Sequence, residues 1–229
     1  MKRLKYLSLI AGALFVFSSC EKESEGLSNS NVLNFEIKGD ETLLVPVGTT
    51  FTDPGFKILW NGEDVSEDVT VTQEVNSDVV GLYSVTYTFR NEQTGEEVRT
   101  RDVIVCDPAI EADMSGTYTT QNGTFRTGTG TDVPYPGFNV TVRKIAPGFF
   151  QISDFLGGYY DQRAAYGKAY AGSGYVQLKS DNTFVLLSSY VPGWGDALSS
   201  LENGIYKPED QSLSWTANYA GMIFNVVLK

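Results

Sequence analysis

The sequence predicts an all-β protein in two units, a small β-sandwich followed by an antiparallel β-meander, and three observations predict it. Apolar and polar residues alternate with period two along most of the chain, which is how a half-buried strand is written. The runs are short and end in clusters of Gly, Pro, Asn and Asp, each suited to turns by its backbone freedom or its side-chain hydrogen bonding. Behind the N-terminus only residues 196–201 suggest helix, one or two turns of it.

Lys2, Arg3 and Lys5 form a basic start, residues 7–17 an apolar run, and Ser18 and Ser19 a small-residue exit to Cys20. This is the layout of a secretory signal peptide, expected over 1–19. The apolar run is about 11 residues, against the roughly 20 that a bilayer-spanning helix needs, so a plain transmembrane anchor is not expected.

Phe17-Ser18-Ser19-Cys20 resembles a bacterial lipoprotein box, with Phe17 where Leu is usual. The resemblance implies cleavage before Cys20 and lipidation of its thiol and new amine. Two or more acyl chains hold a protein stably on a membrane where one is marginal. The other reading is an ordinary secretory signal with an incidental cysteine. Residues 20–31 are rich in Glu, Ser, Asn and Gly and cannot bury enough apolar surface to fold, so they read as a tether. Glu21, Glu23 and Glu25 resemble the acidic export tag of surface lipoproteins of the Bacteroides type. That implies the outer face of the outer membrane; a plain solvated linker is the alternative.

Charge and composition narrow the function. The chain has a net charge of -11, and losing Lys2, Arg3 and Lys5 with the leader leaves 14 basic against 28 acidic side chains. Binding to a nucleic-acid backbone or to anionic lipid is not expected of so acidic a chain. There are no histidines, which excludes Ser-His and Cys-His nucleophiles and histidine metal sites. With Cys20 lipidated, Cys106 has no partner for an internal disulfide. It sits in Val103-Ile104-Val105-Cys106, where a buried thiol acts as a small hydrophobe.

Residues 32–107 form the first unit. Leu33, Phe35 and Ile37 share one parity, as do Phe56, Ile58 and Trp60, and Val69, Val71 and Val75. Residues 81–90 put Tyr83, Val85, Tyr87 and Phe89 on one face, and the loop 91–95 turns the chain into a return strand over 97–106. Four blocks then carry a resemblance: Asp53-Pro54-Gly55-Phe56, Asp68-Val69-Thr70, Gly81-Leu82-Tyr83-Ser84-Val85-Thr86-Tyr87 and Arg101-Asp102-Val103-Ile104-Val105. In this order they resemble the bacterial immunoglobulin-like domain of cell-surface proteins, whose Asp-x-x-Gly-Asn turn is here replaced by the loop 91–95. The resemblance implies an immunoglobulin-like β-sandwich acting as a spacer or adhesion module. Asp107 and Pro108 open a hinge, and the second unit is expected over 112–229.

Ten of the 13 tyrosines and seven of the 13 phenylalanines follow Ala112, with Trp194 and Trp215. Strands are expected over 116–125, 138–145, 149–155, 175–178, 183–189, 204–207, 212–219 and 222–228. They make an up-and-down barrel or a sandwich. Met114-Ser115-Gly116-Thr117-Tyr118 and Phe224-x-Val226-x-Leu228 loosely resemble lipocalin-like domains of surface lipoproteins.

Two stretches do not read as strands. Residues 156–170 mix glycines with four tyrosines, and Pro192-Gly193-Trp194-Gly195 sets an indole on a loop tip with little local cover. Flat aromatic faces stack on the C–H faces of sugar rings while neighbouring polar groups fix orientation. Tyr159, Tyr160, Tyr190 and Trp194 are therefore the candidate ligand site; the alternative is that they plug the end of the domain.

Without histidine, the simplest catalytic constellation is a carboxylate pair for glycoside hydrolysis, with Asp154, Asp161 and Asp196 as candidates. Each sits among turn or aromatic residues that explain it structurally. Asp53 and Asp68 lie at turns, where aspartate more often shapes the turn than holds calcium. No catalytic residue, metal or cofactor is expected. The sequence points to a non-catalytic lipoprotein of the outer membrane that captures an extracellular ligand, a glycan for preference. The alternative is a structural or adhesive subunit that meets an outer-membrane partner protein.

Overall fold

The computed structural model describes residues 32–93, 95–128 and 130–229, so the leader, Cys20 and the tether lie outside the described residues. The protein is all-β. The first unit holds β1 (Leu33–Ile37), β2 (Thr42–Pro46), β3 (Phe56–Trp60), β4 (Glu63–Asp64), β5 (Val69–Gln73), β6 (Gly81–Asn91) and β7 (Gly95–Cys106). They form a sheet of order β1-β3-β4 facing a sheet of order β2-β7-β6-β5. Val45, Val85, Tyr87, Val103 and Val105 fill the space between, with Phe35 and Phe56 against them. The long β6–β7 hairpin runs in register from Gly81↔Val105 to Asn91↔Gly95.

One strand of this unit was not expected, and one expectation is corrected. β2, which runs parallel to the end of β7, carries no alternation the sequence made visible, yet it buries Val45. Its last residue, Pro46, cannot donate to a ladder and is tolerated because β2 is an edge strand. Val71 shares the inward parity of Val69 but is 46% exposed. β5 is the opposite edge of its sheet, beyond the cover of the facing one.

The first unit is tied together by a buried cation. Arg101, fully buried on β7, pairs through Nε with the Asp53 carboxylate at 3.0 Å and donates to the Tyr87 hydroxyl. Its other nitrogens donate to the carbonyls of Lys38, Asp40 and Gly55. Asp53 also accepts from the Tyr87 hydroxyl at 2.8 Å. Asp53 is thus committed to Arg101 and Tyr87, and Asp68 closes a short 3-10 turn over Ser66–Asp68. Among the described residues no cluster of acidic or cysteine side chains is arranged to hold a metal.

The second unit holds β8 (Gly116–Thr119), β9 (Phe125–Thr127), β10 (Asp132–Pro134), β11 (Asn139–Ala146), β12 (Phe149–Ile152), β13 (Ser173–Leu178), β14 (Phe184–Tyr190), β15 (Ser200–Lys207), β16 (Ser212–Tyr219) and β17 (Met222–Leu228). One sheet has the order β14-β13-β12-β11-β8 and the other β10-β9-β17-β16-β15. The two sheets enclose one core of Trp215, Phe150, Phe155, Phe224, Tyr118 and their aliphatic neighbours. Bridges join the sheets along both seams, Thr120↔Leu228 on one side and Thr183↔Ile205 on the other. The expected strand over 116–125 is broken into β8 and β9 by the turn at Gly123, so that β8 pairs with β11 and β9 with β17. Residues 196–201 are not helical: Asp196 bridges to Val191 and β15 begins at Ser200. The short helical turns lie instead at Tyr159–Arg163 and Lys168–Tyr170.

Both units use one device to close a strand start. Tyr83 and Tyr118 each lie two residues after a glycine and donate to the carbonyl four residues back, Val79 and Met114, at 2.9 Å. The ring folds over the glycine so closely that a Cβ on Gly81 or Gly116 would lie 3.2 Å from it. This is the physical content of the Gly-x-Tyr pattern at both places.

The hinge is packed rather than free. Ile104 and Cys106 at the end of β7 and Val80 meet Ala146 and Phe149 of the second unit in one buried cluster. Ile110 lies 6% exposed in the core of the second unit. Burial pushes the Cys106 thiol up from its ordinary pKa, which keeps it a protonated hydrophobe.

Candidate aromatic ligand site

Two loops at one end of the second unit build the site. The first, residues 154–172, is closed at its base by Asp154. This fully buried carboxylate accepts from the backbone N–H groups of Leu156, Gly158 and Gly172 at 2.8 to 3.0 Å. Burial raises its pKa to about 6 against the opposing pull of those hydrogen bonds. Gln162 fastens the outside of the loop to β11, accepting from the Asn139 N–H and donating to its carbonyl. The second loop, residues 191–196, turns back on itself through Val191 and Asp196. Asp196 accepts from the Tyr219 hydroxyl at 2.7 Å, which pins the loop to β16. The loops join where the Gly193 N–H donates to the Ala169 carbonyl at 2.6 Å. Only glycine fits there, since a Cβ on Gly193 would lie 2.5 Å from the Tyr170 ring.

This joint brings distant rings into one continuous surface. Trp194 packs edge-on against Tyr160 (centroids 4.8 Å apart) and Tyr170 (4.7 Å), with Tyr166 and Tyr219 at 6.3 and 6.0 Å. Tyr166 stacks on Tyr160 at 6.1 Å and meets Tyr170 at 5.5 Å. Spacings of 4.5–7 Å in edge-on and tilted arrangements are those in which aromatic pairs attract. Trp194 remains 43% exposed and Tyr166 57% exposed, so the surface is anchored beneath and open above.

The four expected residues fare differently. Tyr160 and Trp194 are neighbours in the surface. Tyr159 is buried and serves as its floor, packed between Tyr135, Tyr160 and Phe224; a ligand does not reach it directly. Tyr190 is exposed at the end of β14, near Gly195, and among the described residues makes no ring contact with the cluster. Tyr166 and Tyr170 belong to the surface although they were not singled out; their spacing from Tyr160 within one loop was the available signal. Tyr219, Met222 and Arg126 come from other strands and left no local trace.

Arg126 on β9 supplies the site's basic group. Its guanidinium lies over the Tyr159 ring at 4.8 Å, as does that of Arg163 at 5.1 Å, and its Nη1 donates to the Met222 sulfur at 3.4 Å. Its Nε is buried with no hydrogen-bond partner. Burial raises the Tyr160 hydroxyl above its ordinary pKa, and Arg126 opposes that rise.

The reverse side of the first loop borders a polar cleft of about 470 Å³, lined by Asp154, Asp161, Gln162 and Lys168 among others. Of the three candidate carboxylates, Asp154 accepts from three backbone N–H groups and Asp196 from the Tyr219 hydroxyl, while Asp161 lines the cleft beside Asp154.

Residues 35–105 match the family described as bacterial surface protein, Ig-like domain. A family model described as a C-terminal domain matches residues 107–229, more than half of the chain, and the chain belongs to that family. Among solved structures it is similar to the lipoprotein BT2262 from Bacteroides thetaiotaomicron, with 38% identity over 86% of this chain and 100% of that one and a TM-score of 0.49. None of the curated proteins matches it.

Proposed function

We propose that the protein is a lipid-anchored protein of the outer membrane, attached through Cys20, whose second unit binds an extracellular glycan without catalysis. The packed ring surface of Tyr160, Tyr166, Tyr170 and Trp194 is the observation that carries this reading. Three features support it. The surface is aromatic, and the exposed faces of its indole and phenol rings suit the C–H faces of sugar rings. It is held by backbone and side-chain bonds before any ligand arrives, which lowers the ordering cost of binding. Its exposed members are an indole and a phenol, residue types rich in binding energy. The match of residues 35–105 to a bacterial surface-protein domain family supports the envelope location.

Affinity electrophoresis through a panel of polysaccharides tests the reading. At least one polysaccharide should retard the protein, and Trp194→Ala should weaken that binding by about 30-fold, the loss of roughly 2 kcal/mol at an anchoring aromatic. No retardation by any polysaccharide, or an unaffected variant, overturns it. A second reading, a structural or adhesive subunit, draws support from exposed Leu44 and Leu82, which flank Ile104 on the outer face of the first unit. Co-purification of a stoichiometric envelope protein, lost on Leu82→Glu, would favour it.

A further inference from the structure

We infer that the saccharide held on the aromatic surface carries a carboxylate that pairs with Arg126, making the ligand a uronic-acid-type glycan. The inference rests on the glycan reading above and narrows its ligand class. Arg126 points from β9 toward Tyr159 and Met222, the same group of side chains on which Tyr160 rests. Among the described residues no carboxylate forms an ion pair with it. The chain has 28 acidic side chains to choose from, so an unpaired cation at this spot is against the trend of the whole molecule. Its Nε is desolvated without a partner, a cost that folding leaves standing and that an incoming acceptor would remove.

A guanidinium presents a planar fork that suits a carboxylate. The second arginine on Tyr159, Arg163, is exposed and adds positive potential at the edge. The excess of 28 acidic over 14 basic side chains once the leader is lost limits the density of charge the ligand can carry. A closely charged polyanion is repelled as a whole, whereas a single carboxylate on an otherwise neutral chain feels mainly charges within a Debye length of about 10 Å at 0.1 M salt. The site therefore fits isolated acidic sugars better than dense polyanions.

The test measures quenching of tryptophan fluorescence by three oligosaccharides of equal length: one with a single uronic acid, its methyl ester, and its neutral hexose counterpart. The acid should bind the wild type about 10- to 100-fold more tightly than the other two, the worth of a hydrogen-bonded charge pair. Arg126→Gln should bring the acid-to-neutral affinity ratio, measured within that variant, down to about 1, and Arg126→Lys should restore part of the preference. Thermal unfolding of both variants shows whether they are folded; if Arg126→Gln is not, Arg126→Lys and the acid-to-ester ratio on the wild type decide. Equal binding of acid, ester and neutral sugar, or a preference that survives Arg126→Gln, overturns this inference and leaves the glycan reading standing. Absence of binding by all three and by every polysaccharide of the panel overturns both.

Discussion

Arg101 is where a single substitution should do most damage to the first unit. Arg101→Met keeps most of the stem's volume and removes every donor. The Asp53 carboxylate, 15% exposed, would lose its cation and keep only the Tyr87 hydroxyl. The carbonyls of Lys38, Asp40 and Gly55 would lose theirs. Removing one member of a buried ion pair costs about 3–5 kcal/mol, because the remaining charge is left uncompensated. Each orphaned acceptor is worth about 1–3 kcal/mol, a sum reduced by whatever water enters. About 4 kcal/mol is therefore a conservative figure. A domain of about 75 residues has roughly 4–11 kcal/mol of stability in all, so the variant should stand close to unfolded. At about 4–8 °C per kcal/mol, its calorimetric transition should fall by roughly 15–30 °C. The core of the second unit, which does not touch Arg101, should still give a transition of its own. Arg101→Lys should rescue only part of the loss, since one ammonium cannot span acceptors that a five-donor fork reaches. A loss under 1 kcal/mol for Arg101→Met would refute the reasoning, since it would mean that water or a rearranged loop satisfies Asp53 as well as Arg101 does.

Two further expectations concern the second unit and the anchor. The Asp154 carboxyl titrates at about 6 when folded and near 3.8 when unfolded. Between those values the folded state keeps a proton that the unfolded state has released, so this group's contribution to stability falls as pH rises from about 4 to about 6, at up to about 1.4 kcal/mol per unit. Asp154→Asn should be less stable than wild type, having one acceptor oxygen for three N–H groups, and the gap should narrow over that range in urea titrations; a gap that stays constant or widens would show that burial does not govern Asp154. Cys20→Ala should release the protein from the membrane fraction into the soluble envelope fraction, and persistent membrane association would remove the lipid anchor from the account.

Much of the fold was legible because strands announce themselves locally. The Leu33–Ile37 alternation, the β6 run from Gly81 and the β16 and β17 runs place their apolar residues at period two, and these did turn inward. Legibility failed where partners decide. Val71 has an inward parity but no facing sheet above it, and Thr42–Pro46 became a strand only because β7 offered a free edge. Residues 196–201 had a mildly helical composition, yet the bridge to Val191 and the Tyr219–Asp196 bond held them extended. The Asp-Pro-Gly turn and the closing Arg-x-Val-x-Val strand were visible as separate motifs; their joint meaning, Asp53 paired with Arg101, required the chain to fold back across 48 positions.

The site divides in the same way. The sequence by itself determined that the second unit is aromatic-rich, that it lacks histidine, and that Tyr160 and Trp194 sit in glycine-bearing loops rather than strands. Composition and local backbone freedom are properties of short stretches, and short stretches can be read. Only the tertiary structure decided that Tyr159 is the floor while Tyr166 and Tyr170 are the surface, that Tyr190 stands aside, and that Arg126, half-buried over the Tyr159 ring, has no carboxylate partner among the described residues. Those outcomes depend on which loop tip meets which strand end. That meeting is set by the Asp154 clamp, the close fit of Tyr170 on Gly193 and the register of β9 on β17, long-range contacts whose energies no single stretch of sequence contains.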